Sequence, residues 1–290
     1  MKLEKSAVYK PKMTLPEPWR SAAVTVVLPT YNESANLPVI VTALFSLPLT
    51  SLHILVVDDN SPDGTGYIAG QLAKQYGDTR MTVVHRQGKQ GLGRAYVDGM
   101  SRAIEAGADF VVQMDGDMSH GPCYLPQMLG TLLSTDADVV VGSRYVAGAS
   151  IASEWSWHRK MLSSFANAYV RLVLRLGIRD VTAGFKLWRS SALKSVDLGS
   201  IRSNGYSFQV EMNYRSVENG LKLVEIPIHF AERSEGESKM NLRVQLESAL
   251  MPILLWYRAR YRGRRARARI GEWCDERPAI RSESSSARRT

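Results

Sequence analysis

The chain has 290 residues, of which 44% are hydrophobic and 22% are charged, a balance typical of one large globular α/β domain or two smaller ones. Its formal charge of +9 is concentrated at the C-terminus, because residues 258–290 hold eleven arginines against four acidic side chains and carry +7. The rest of the chain carries only +2, so the pattern predicts a nearly neutral body with a basic tail that contacts a membrane or a nucleic acid.

The sequence lacks the usual marks of export and of a membrane span. The first 20 residues are charged and interrupted by prolines, without the apolar segment of a signal peptide. We find no apolar run near the roughly 20 residues that a spanning helix needs. Cys123 and Cys274 stand far apart and without metal-ligand spacing, which favours a reducing compartment. These features predict a cytoplasmic protein, soluble or peripheral to a membrane.

The first half of the chain alternates predicted strands and helices, which is typical of βαβ units in a mostly parallel sheet. Apolar, β-branched runs such as 24–29 indicate strands that are buried on both faces. Asn36 is predicted to cap the first helix. The predicted strands are 24–29, 52–57, 82–85, 110–114 and 137–141, and the predicted helices are 36–47, one ending at 76, 93–106 and 124–133.

The second half is less regular, and Pro227 indicates that its strand lies at the edge of a sheet. The predicted segments are a helix at 155–176, a short strand or irregular segment at 180–188, a helix at 205–219, a strand at 221–230, a polar loop at 233–240 and a helix at 242–257.

The chain is predicted to consist of four parts. They are a flexible lead at 1–21, a catalytic domain at 22–245, an amphipathic helix at 246–262 and a basic, disordered tail at 263–290. The apolar helix before the tail can be interpreted in two ways. It lies in a membrane interface with its basic extension on anionic lipid, or it is a core helix followed by a disordered tail.

Polar clusters at 30–34, 58–65 and 115–121 each follow a predicted strand, so we expect them at the carboxyl edge of one sheet, where open α/β sheets bind ligands. In the last cluster, Asp115 and Asp117 end a buried strand with one small residue between them. Two carboxylates at this spacing can face one hard cation, and Mg²⁺ or Mn²⁺ held in this way keeps positions for water and substrate phosphates. The alternative is a solvated turn.

Further polar residues are candidates for the same edge. Asp58 and Asp59 end another buried strand and can accept hydrogen bonds from a nucleotide base, although they can equally form a turn. The glycine-containing loop at 88–94 opens a helix and is a weak candidate for a phosphate loop. His120, three residues after Asp117, is a candidate for a contact behind the metal ligands.

Four basic residues are the predicted phosphate contacts: Arg144, Arg159, Arg233 and Lys239. Arg144 comes just after the fifth predicted strand and is therefore expected on the same edge as the two aspartates. The planar guanidinium group suits phosphate recognition because it donates two parallel hydrogen bonds.

Taken together, the motifs resemble those of one family. In chain order they are LPTYNE at 28–33, VVDDNSPDGT at 56–65, GKQGLGRAYVDG at 88–99, MDGDMSHGP at 114–122, GSRY at 142–145, DVTAGFK at 180–186, GYSFQVEM at 205–212 and EIPIHFAERSEGESKMN at 225–241. The set resembles the dolichol-phosphate (polyprenol-phosphate) mannose synthases, which are inverting glycosyltransferases of family 2 with a GT-A fold. The resemblance covers roughly residues 22–245.

The resemblance implies transfer of mannose from GDP-mannose to a polyprenyl phosphate with Mg²⁺ or Mn²⁺. The residues matching the family's guanosine contacts are Pro29, Tyr31, Glu33, Asp58 and Asp59. Asp115 and Asp117 match its metal ligands, with Asp-Gly-Asp in place of the usual Asp-Ala-Asp. Some relatives have Gln as a third ligand where this chain has Ser119, whose hydroxyl is a poorer ligand.

The resemblance also implies roles on the acceptor side. Arg144, Arg159 and Ser163 match positions that bind the acceptor phosphate, and Arg233 and Lys239 match a mobile loop over the donor. The predicted catalytic residues are Asp117, Arg144 and Asp180. Asp180 matches a proposed base but is expected to position a sugar hydroxyl or a basic side chain. Relatives without spanning helices rely on a partner protein or on interfacial contacts, which predicts a peripheral enzyme on the cytoplasmic face of a membrane.

Two other functions are compatible with parts of the sequence. A polyprenyl-phosphate glucosyltransferase that uses UDP-glucose would have nearly the same motifs. A nucleic-acid-binding protein would use the arginine-rich tail, but Asp115 and Asp117 would then repel the phosphate backbone. We therefore expect no nucleic-acid partner.

Overall fold

The computed structural model describes residues 15–152, 156–231 and 249–257. Its strands, in chain order, are β1 (Val24–Thr30), β2 (Leu52–Asp58), β3 (Met81–His85), β4 (Phe110–Gln113), β5 (Val139–Ser143), β6 (Ser150–Ile151), β7 (Lys186–Arg189), β8 (Leu223–Pro227) and β9 (His229–Phe230). Its helices are α1 (Asn36–Phe45), α2 (Thr65–Tyr76), α3 (Leu92–Glu105), α4 (Leu125–Ser134), α5 (Trp157–Leu174), α6 (Ser190–Ser195) and α7 (Gly205–Glu218), and residues 249–257 are also helical.

The central sheet has seven strands in the order β3-β2-β1-β4-β7-β5-β8. Strands β3, β2, β1 and β4 are parallel, and β5 pairs in parallel with β8. Strand β7 lies antiparallel between β4 and β5. The predicted mostly parallel sheet with flanking helices is confirmed. The segment 180–188, predicted as a short strand or irregular, includes the first three residues of β7, which is an inner strand of the sheet.

Helices cover both faces of this sheet because the strands are apolar on both sides. On one face, α1 and α4 pack over residues such as Val26 and Ile54. On the other, α3 and α7 pack over Val27, Val57 and Trp188. A smaller cluster joins α5 and α7 to the helix at 249–257. Because β1, β2 and β4 are parallel, their carboxyl ends lie at the same edge of the sheet.

Most predicted boundaries agree with the structure to within a few residues. The predicted cap of the first helix is wrong: Ala35 occupies the N-cap and Asn36 is already helical. The Asn36 amide instead donates to Glu33 Oε2 at 2.9 Å, a contact with the preceding loop. The predicted strand 221–230 is divided into β8 and β9, and β8, which ends at Pro227, is the edge strand as predicted.

Residues 15–21, which fall in the predicted flexible lead, pack against the domain. The Trp19 ring lies against Gly130 of α4, where an added Cβ would be 3.3 Å from the ring. Thr50 donates its backbone N–H to Arg20 at 2.9 Å. Residues 1–14 and 258–290 lie outside the described residues, and the four-part division of the chain stays a prediction.

Within the described ranges, no helix combines the length and the apolar character that crossing a bilayer would require.

Candidate active site

The three polar loops meet at the carboxyl edge of the sheet, as predicted. Thr30, at the end of β1, is paired with Asp58, at the end of β2. Asp59 donates its backbone N–H to Thr30 at 3.1 Å, which joins the first two loops. A Cβ on Gly116 would lie 3.5 Å from the carbonyl oxygen of Pro29, so the loop after β4 lies beside the loop after β1. The candidate site is therefore one continuous surface.

Asp115 lies two residues after the end of β4, and its side chain is 25% exposed. Tyr96 of α3 donates its phenolic O–H to Asp115 Oδ1 at 2.7 Å. Burial, together with the Asp115 carboxylate, raises the pKa of Tyr96 well above its usual value. Tyr96 therefore stays protonated and orients one carboxylate oxygen while the carboxylate group remains accessible from the surface.

Asp117 is held by the residue two positions after it. Its Oδ1 accepts hydrogen bonds from the Ser119 backbone N–H at 3.1 Å and from the Ser119 hydroxyl at 2.5 Å. Ser119 is almost fully buried. The contact shows Ser119 orienting Asp117, and its predicted role as a metal ligand stays a prediction.

The donor set at this edge fits a hard divalent cation. Asp115 and Asp117 supply carboxylate oxygens, the ligands that Mg²⁺ and Mn²⁺ prefer. Among the described residues, there is no cluster of three or more His, Cys, Asp and Glu side chains that could hold a metal. Such a pair suits a cation that completes its coordination with water and with oxygens of a bound phosphate.

His120 lies behind these carboxylates. Its ring stacks 5.4 Å from Phe185 and meets Phe230 edge-on at 5.4 Å. Its Nδ1 accepts the Asp115 backbone N–H at 3.4 Å, and burial lowers its pKa, although the nearby carboxylates oppose that shift. His120 is therefore a neutral support of the Asp115 backbone. A Cβ on Gly184 would lie 2.9 Å from Asp115 Oδ2 and 3.1 Å from the His120 ring, so a larger residue here would displace the Asp115 carboxylate or the imidazole.

The carboxylates after β2 have a different environment. Asp58 is buried, and its Oδ1 accepts the hydroxyls of Thr30 at 3.0 Å and Ser61 at 2.6 Å. Its Oδ2 accepts the Ser61 backbone N–H at 3.2 Å. These contacts match the turn that the sequence left open as an alternative. A contact between Asp58 and a nucleotide base stays a prediction.

Asp59 fixes the glycine-containing loop before α3. Its Oδ1 forms an ion pair with Arg86, and its Oδ2 accepts the backbone N–H groups of Gln90 and Gly91, both at 3.2 Å. Asp59 is 4% exposed, so this ion pair is largely shielded from water. The predicted phosphate loop is thus attached to the end of β2.

The remaining predicted guanosine contacts line the same region. Pro29 is buried within β1, and the Lys89 ammonium lies 3.8 Å from the centre of the Tyr31 ring. Glu33 donates its backbone N–H to Thr65 Oγ1 at 2.9 Å. The structure therefore brings together the five residues predicted to contact the guanosine: Pro29, Tyr31, Glu33, Asp58 and Asp59.

Arg144 and Asp180 form a largely buried ion pair near Asp115. Arg144 Nε and Nη2 donate to the two oxygens of Asp180 at 2.8 and 2.7 Å, and Nη2 also donates to Thr182 at 2.7 Å. Burial tends to raise the pKa of Asp180, but the charge and hydrogen bonds of Arg144 outweigh it and lower the pKa. Asp180 is therefore a stable carboxylate that orients a guanidinium group.

Ser163, predicted to bind the acceptor phosphate, contacts Tyr145, the residue after Arg144. Tyr145 donates its phenolic O–H to Ser163 Oγ at 2.6 Å. Arg159 lies one helical turn before Ser163 on α5, and its side chain is outside the described part of the structure. Arg233 and Lys239 also lie outside the described residues.

Sequence reasoning did not identify three residues that support the site: Tyr96, Lys186 and Gln209. Lys186, in β7, is fully buried, and its ammonium donates to Gln209 Oε1 at 2.6 Å. Burial lowers the pKa of Lys186 to about 7, against the opposing charges of Asp180 and Asp115. Lys186 stands within the motif DVTAGFK, but a single lysine gives no local indication that it will be buried.

Comparisons with known proteins identify the family of the chain. The model of glycosyl transferase family 2 matches residues 25–197. The polyprenol monophosphomannose synthase of Mycolicibacterium smegmatis is 43% identical over 244 residues, covering 84% of this chain and 89% of the relative. The undecaprenyl-phosphate mannosyltransferase of Micrococcus luteus is 42% identical over 245 residues, covering 84% of this chain and 98% of the relative.

Solved structures show the same fold. A mannosyltransferase from Pyrobaculum calidifontis, in complex with GDP-Man and Mn²⁺, matches with a TM-score of 0.54 at 15% identity, covering 87% of this chain and 68% of that chain. Glucosyl-3-phosphoglycerate synthase from Mycobacterium tuberculosis, with Mn²⁺ and UDP, matches with a TM-score of 0.55 at 17% identity, covering 81% of this chain and 80% of that chain. These likenesses confirm the predicted GT-A architecture. From the family match and the two relatives, the chain belongs to glycosyl transferase family 2, in the group represented by the polyprenol monophosphomannose synthases.

Proposed function

We propose that the chain transfers mannose from GDP-mannose to a polyprenyl phosphate, with inversion at the anomeric carbon. The observation that carries this proposal is the closeness of two charged groups at one sheet edge. His120 Nδ1 lies 4.0 Å from Asp115 Oδ2. The Phe230 ring lies 5.4 Å from the His120 ring and 5.2 Å from the guanidinium carbon of Arg144, so the aspartates and the Arg144–Asp180 pair are close together. A site of this kind can hold a cation-bound diphosphate on one side and a second phosphate on the other.

The donor is inferred from the relatives together with the loops after β1 and β2. Both relatives are named for mannose transfer to a polyprenyl lipid, and the Pyrobaculum enzyme was solved with GDP-Man. The five predicted guanosine contacts, which lie together at this edge, would bind the nucleoside: Pro29, Tyr31, Glu33, Asp58 and Asp59. Arg233 and Lys239, which are outside the described residues, would contact the donor phosphates.

Asp115 and Asp117 would hold the divalent cation, Mg²⁺ or Mn²⁺. When bound, the cation supplies Lewis-acid charge that stabilises the leaving diphosphate. Tyr96 and Ser119 contribute by fixing one oxygen of each carboxylate before the donor arrives. Because these hydrogen bonds are already present, little reorganisation is needed when the donor binds.

The acceptor side needs orientation more than proton removal. A phosphate monoester has a second pKa near 6, so it is largely a dianion at pH 7 and attacks without an obligatory base. The lowered pKa of Asp180 and its two hydrogen bonds to Arg144 support a positioning role. Arg144, Arg159 and Ser163 would bind the acceptor phosphate, offset the repulsion between two anionic substrates and align the attack.

Binding at a membrane surface is supported by exposed apolar side chains on α5 and on the helix at 249–257. Single exposed apolar residues are ordinary, but a cluster on neighbouring helices indicates a contact surface. Tyr169 of α5 donates its phenolic O–H to the Ala249 carbonyl at 2.7 Å, which joins the two helices. The exposed residues are Trp157, Met161, Leu162, Phe165, Leu172, Leu250, Ile253, Leu254, Trp256 and Tyr257. We therefore propose a peripheral enzyme at the cytoplasmic face, with lipid or a membrane-anchoring protein against this surface.

The proposal is tested by incubating the protein with Mn²⁺, a short polyprenyl phosphate and either GDP-mannose or UDP-glucose, followed by lipid extraction and mass measurement. We expect a polyprenyl-phosphate hexose from GDP-mannose alone, with a β-anomeric signal by NMR. A product from UDP-glucose would instead support the glucosyltransferase alternative, and an α-anomer would contradict inversion.

A further inference from the structure

A fully buried lysine lies in the sheet beneath the candidate site. Lys186 begins β7, the antiparallel strand between β4 and β5. It is paired across the sheet with Gln113, two residues before Asp115. Directly paired residues of neighbouring strands project to the same face, so both side chains point toward α7. Burying a lysine is costly, and such a residue is rare unless its charge is used or compensated.

A neutral amide from α7 holds the ammonium group. Gln209 Oε1 accepts hydrogen bonds from Lys186 Nζ at 2.6 Å and from Gln113 Nε2 at 2.5 Å. Gln113 and Gln209 are both almost completely buried. Next to Gln209, Phe208 stacks on Tyr96 at 5.6 Å, and Tyr96 is the residue that donates to Asp115. Lys186 is therefore part of the layer that supports the metal carboxylates.

The charge of Lys186 acts on both halves of the site. Asp180 and Asp115 each favour its charged form, while Arg144 opposes it. Asp115 belongs to the proposed donor half and Asp180 to the acceptor half. Because the surroundings are buried, these charges interact more strongly than they would in water. The Lys186 ammonium group therefore interacts with one carboxylate of each proposed half-site, Asp115 and Asp180.

We propose that Lys186 is a positioning residue shared by the two half-sites, whose buried positive charge favours binding of the anionic substrates and disfavours a divalent cation bound alone. This inference rests on the proposed function, because it assigns the two half-sites to a diphosphate and a phosphate. Its consequence is ordered binding, in which the cation binds much more strongly together with the nucleotide diphosphate than by itself.

The charge predicts opposite changes that a packing role would not produce. Lys186→Met keeps the linear shape of the side chain and removes its charge. Free Mn²⁺ should then bind to the nucleotide-free protein about five-fold more tightly, and GDP in metal-free buffer should bind about five-fold more weakly. Loss of packing alone would weaken both, because it would displace the residues that contact both ligands.

The experiment measures Mn²⁺ binding by electron paramagnetic resonance of the free ion and GDP binding by calorimetry in EDTA. Both are measured at pH 6.5, where Lys186, with a pKa of about 7, is mostly charged. Lys194→Met, at an exposed position on α6, is the matched control and should leave both affinities unchanged. Opposite shifts in Lys186→Met support the proposal, and parallel shifts or none overturn it.

A second variant covers the case in which Lys186→Met does not fold. Gln209→Leu leaves the lysine in place but removes the carbonyl that holds its ammonium, so less of the lysine stays charged. We expect Mn²⁺ to bind more tightly and GDP more weakly, with each change in the logarithm of the affinity about half of that in Lys186→Met. Unchanged affinities in this variant overturn the proposal. If wild-type protein binds both ligands as described but transfers no mannose from GDP-mannose, the proposed function fails and the role of the charge stands.

Discussion

Two pairs of aspartates follow buried strands at the same edge of the sheet, and the structure uses them differently. Asp58 and Asp59, after β2, are buried, and their oxygens accept hydrogen bonds that fix turns and the loop before α3. Asp115 is a quarter exposed and is oriented through one oxygen by Tyr96. Asp117 is buried like the first pair and accepts hydrogen bonds from Ser119, so the accessible carboxylate of the second pair is that of Asp115. We therefore predict that the pair after β2 acts mainly in holding the loops and that the pair after β4 acts mainly in catalysis.

The strongest test of this difference is Asp117→Ala. Removing one of two carboxylates for the cation should lower transfer at least about 1,000-fold while the protein stays folded, since an electrostatic contact to the reacting group is lost. A radiolabelled GDP-mannose assay, with circular dichroism as the check on folding, measures both. Asp136→Ala, at an exposed carboxylate paired with Lys222, is the control and should keep normal activity. Retained turnover in Asp117→Ala would exclude the metal assignment.

Asp180→Asn tests whether a third carboxylate at this edge belongs to the structural or the chemical group. Loss of the charge opposite Arg144 should reduce transfer about 100-fold through misplacement of the guanidinium group. The free energy of unfolding should fall by about 3 kcal/mol, because Arg144 keeps its charge in a buried site. Steady-state kinetics and urea unfolding give the two values.

The pH dependence of stability gives a second check on Asp180. Its pKa in the folded protein lies below the ordinary value of 3.8, so its carboxylate stabilises the fold above that pH. This contribution is lost as the pH falls through the lowered pKa. The free energy of unfolding of Asp180→Asn should therefore fall less at acidic pH than that of the wild type. Equal acid sensitivity of the two proteins would contradict the ion pair.

Arg159→Ala extends the test to the acceptor side. Loss of one guanidinium contact to the lipid phosphate should raise the KM for polyprenyl phosphate about ten-fold and leave the KM for GDP-mannose unchanged. Lys160→Ala, the adjacent basic residue on α5, is the matched control. A change confined to GDP-mannose would show that the acceptor site lies elsewhere.

Asp59→Asn should have the smallest effect on catalysis and a large effect on stability. The variant leaves Arg86 without its carboxylate in a buried position, at a cost of about 3 kcal/mol in the free energy of unfolding. Activity per folded molecule should fall only about three-fold, in contrast to Asp117→Ala. Urea unfolding and initial rates at saturating donor separate these effects. Normal stability with abolished transfer would remove the distinction between the two pairs.

The alternating strands and helices, the three polar loops at one edge and the two acidic pairs could all be predicted from the amino-acid sequence. These features follow from local patterns: β-branched runs form buried strands, and parallel strands carry their loops to the same side. The motif order also determined the family. The use of Asp58 and Asp59 in turns was present in the sequence as an alternative, because Asp commonly bonds to nearby backbone N–H groups.

The contacts that support the site, in contrast, could be found only in the folded chain. Tyr96 reaches Asp115 from another helix, and Gln209 contacts Gln113 across 96 positions of sequence. No local pattern places a lysine in the middle of a sheet, yet the antiparallel insertion of β7 buries Lys186 beneath the carboxylates. Such contacts arise from strand order and helix packing, which are set by long-range burial of apolar surface. The predicted ligand-binding residues can therefore be recognised from local motifs, whereas residues that support them, such as Tyr96 and Lys186, can be recognised only from the fold.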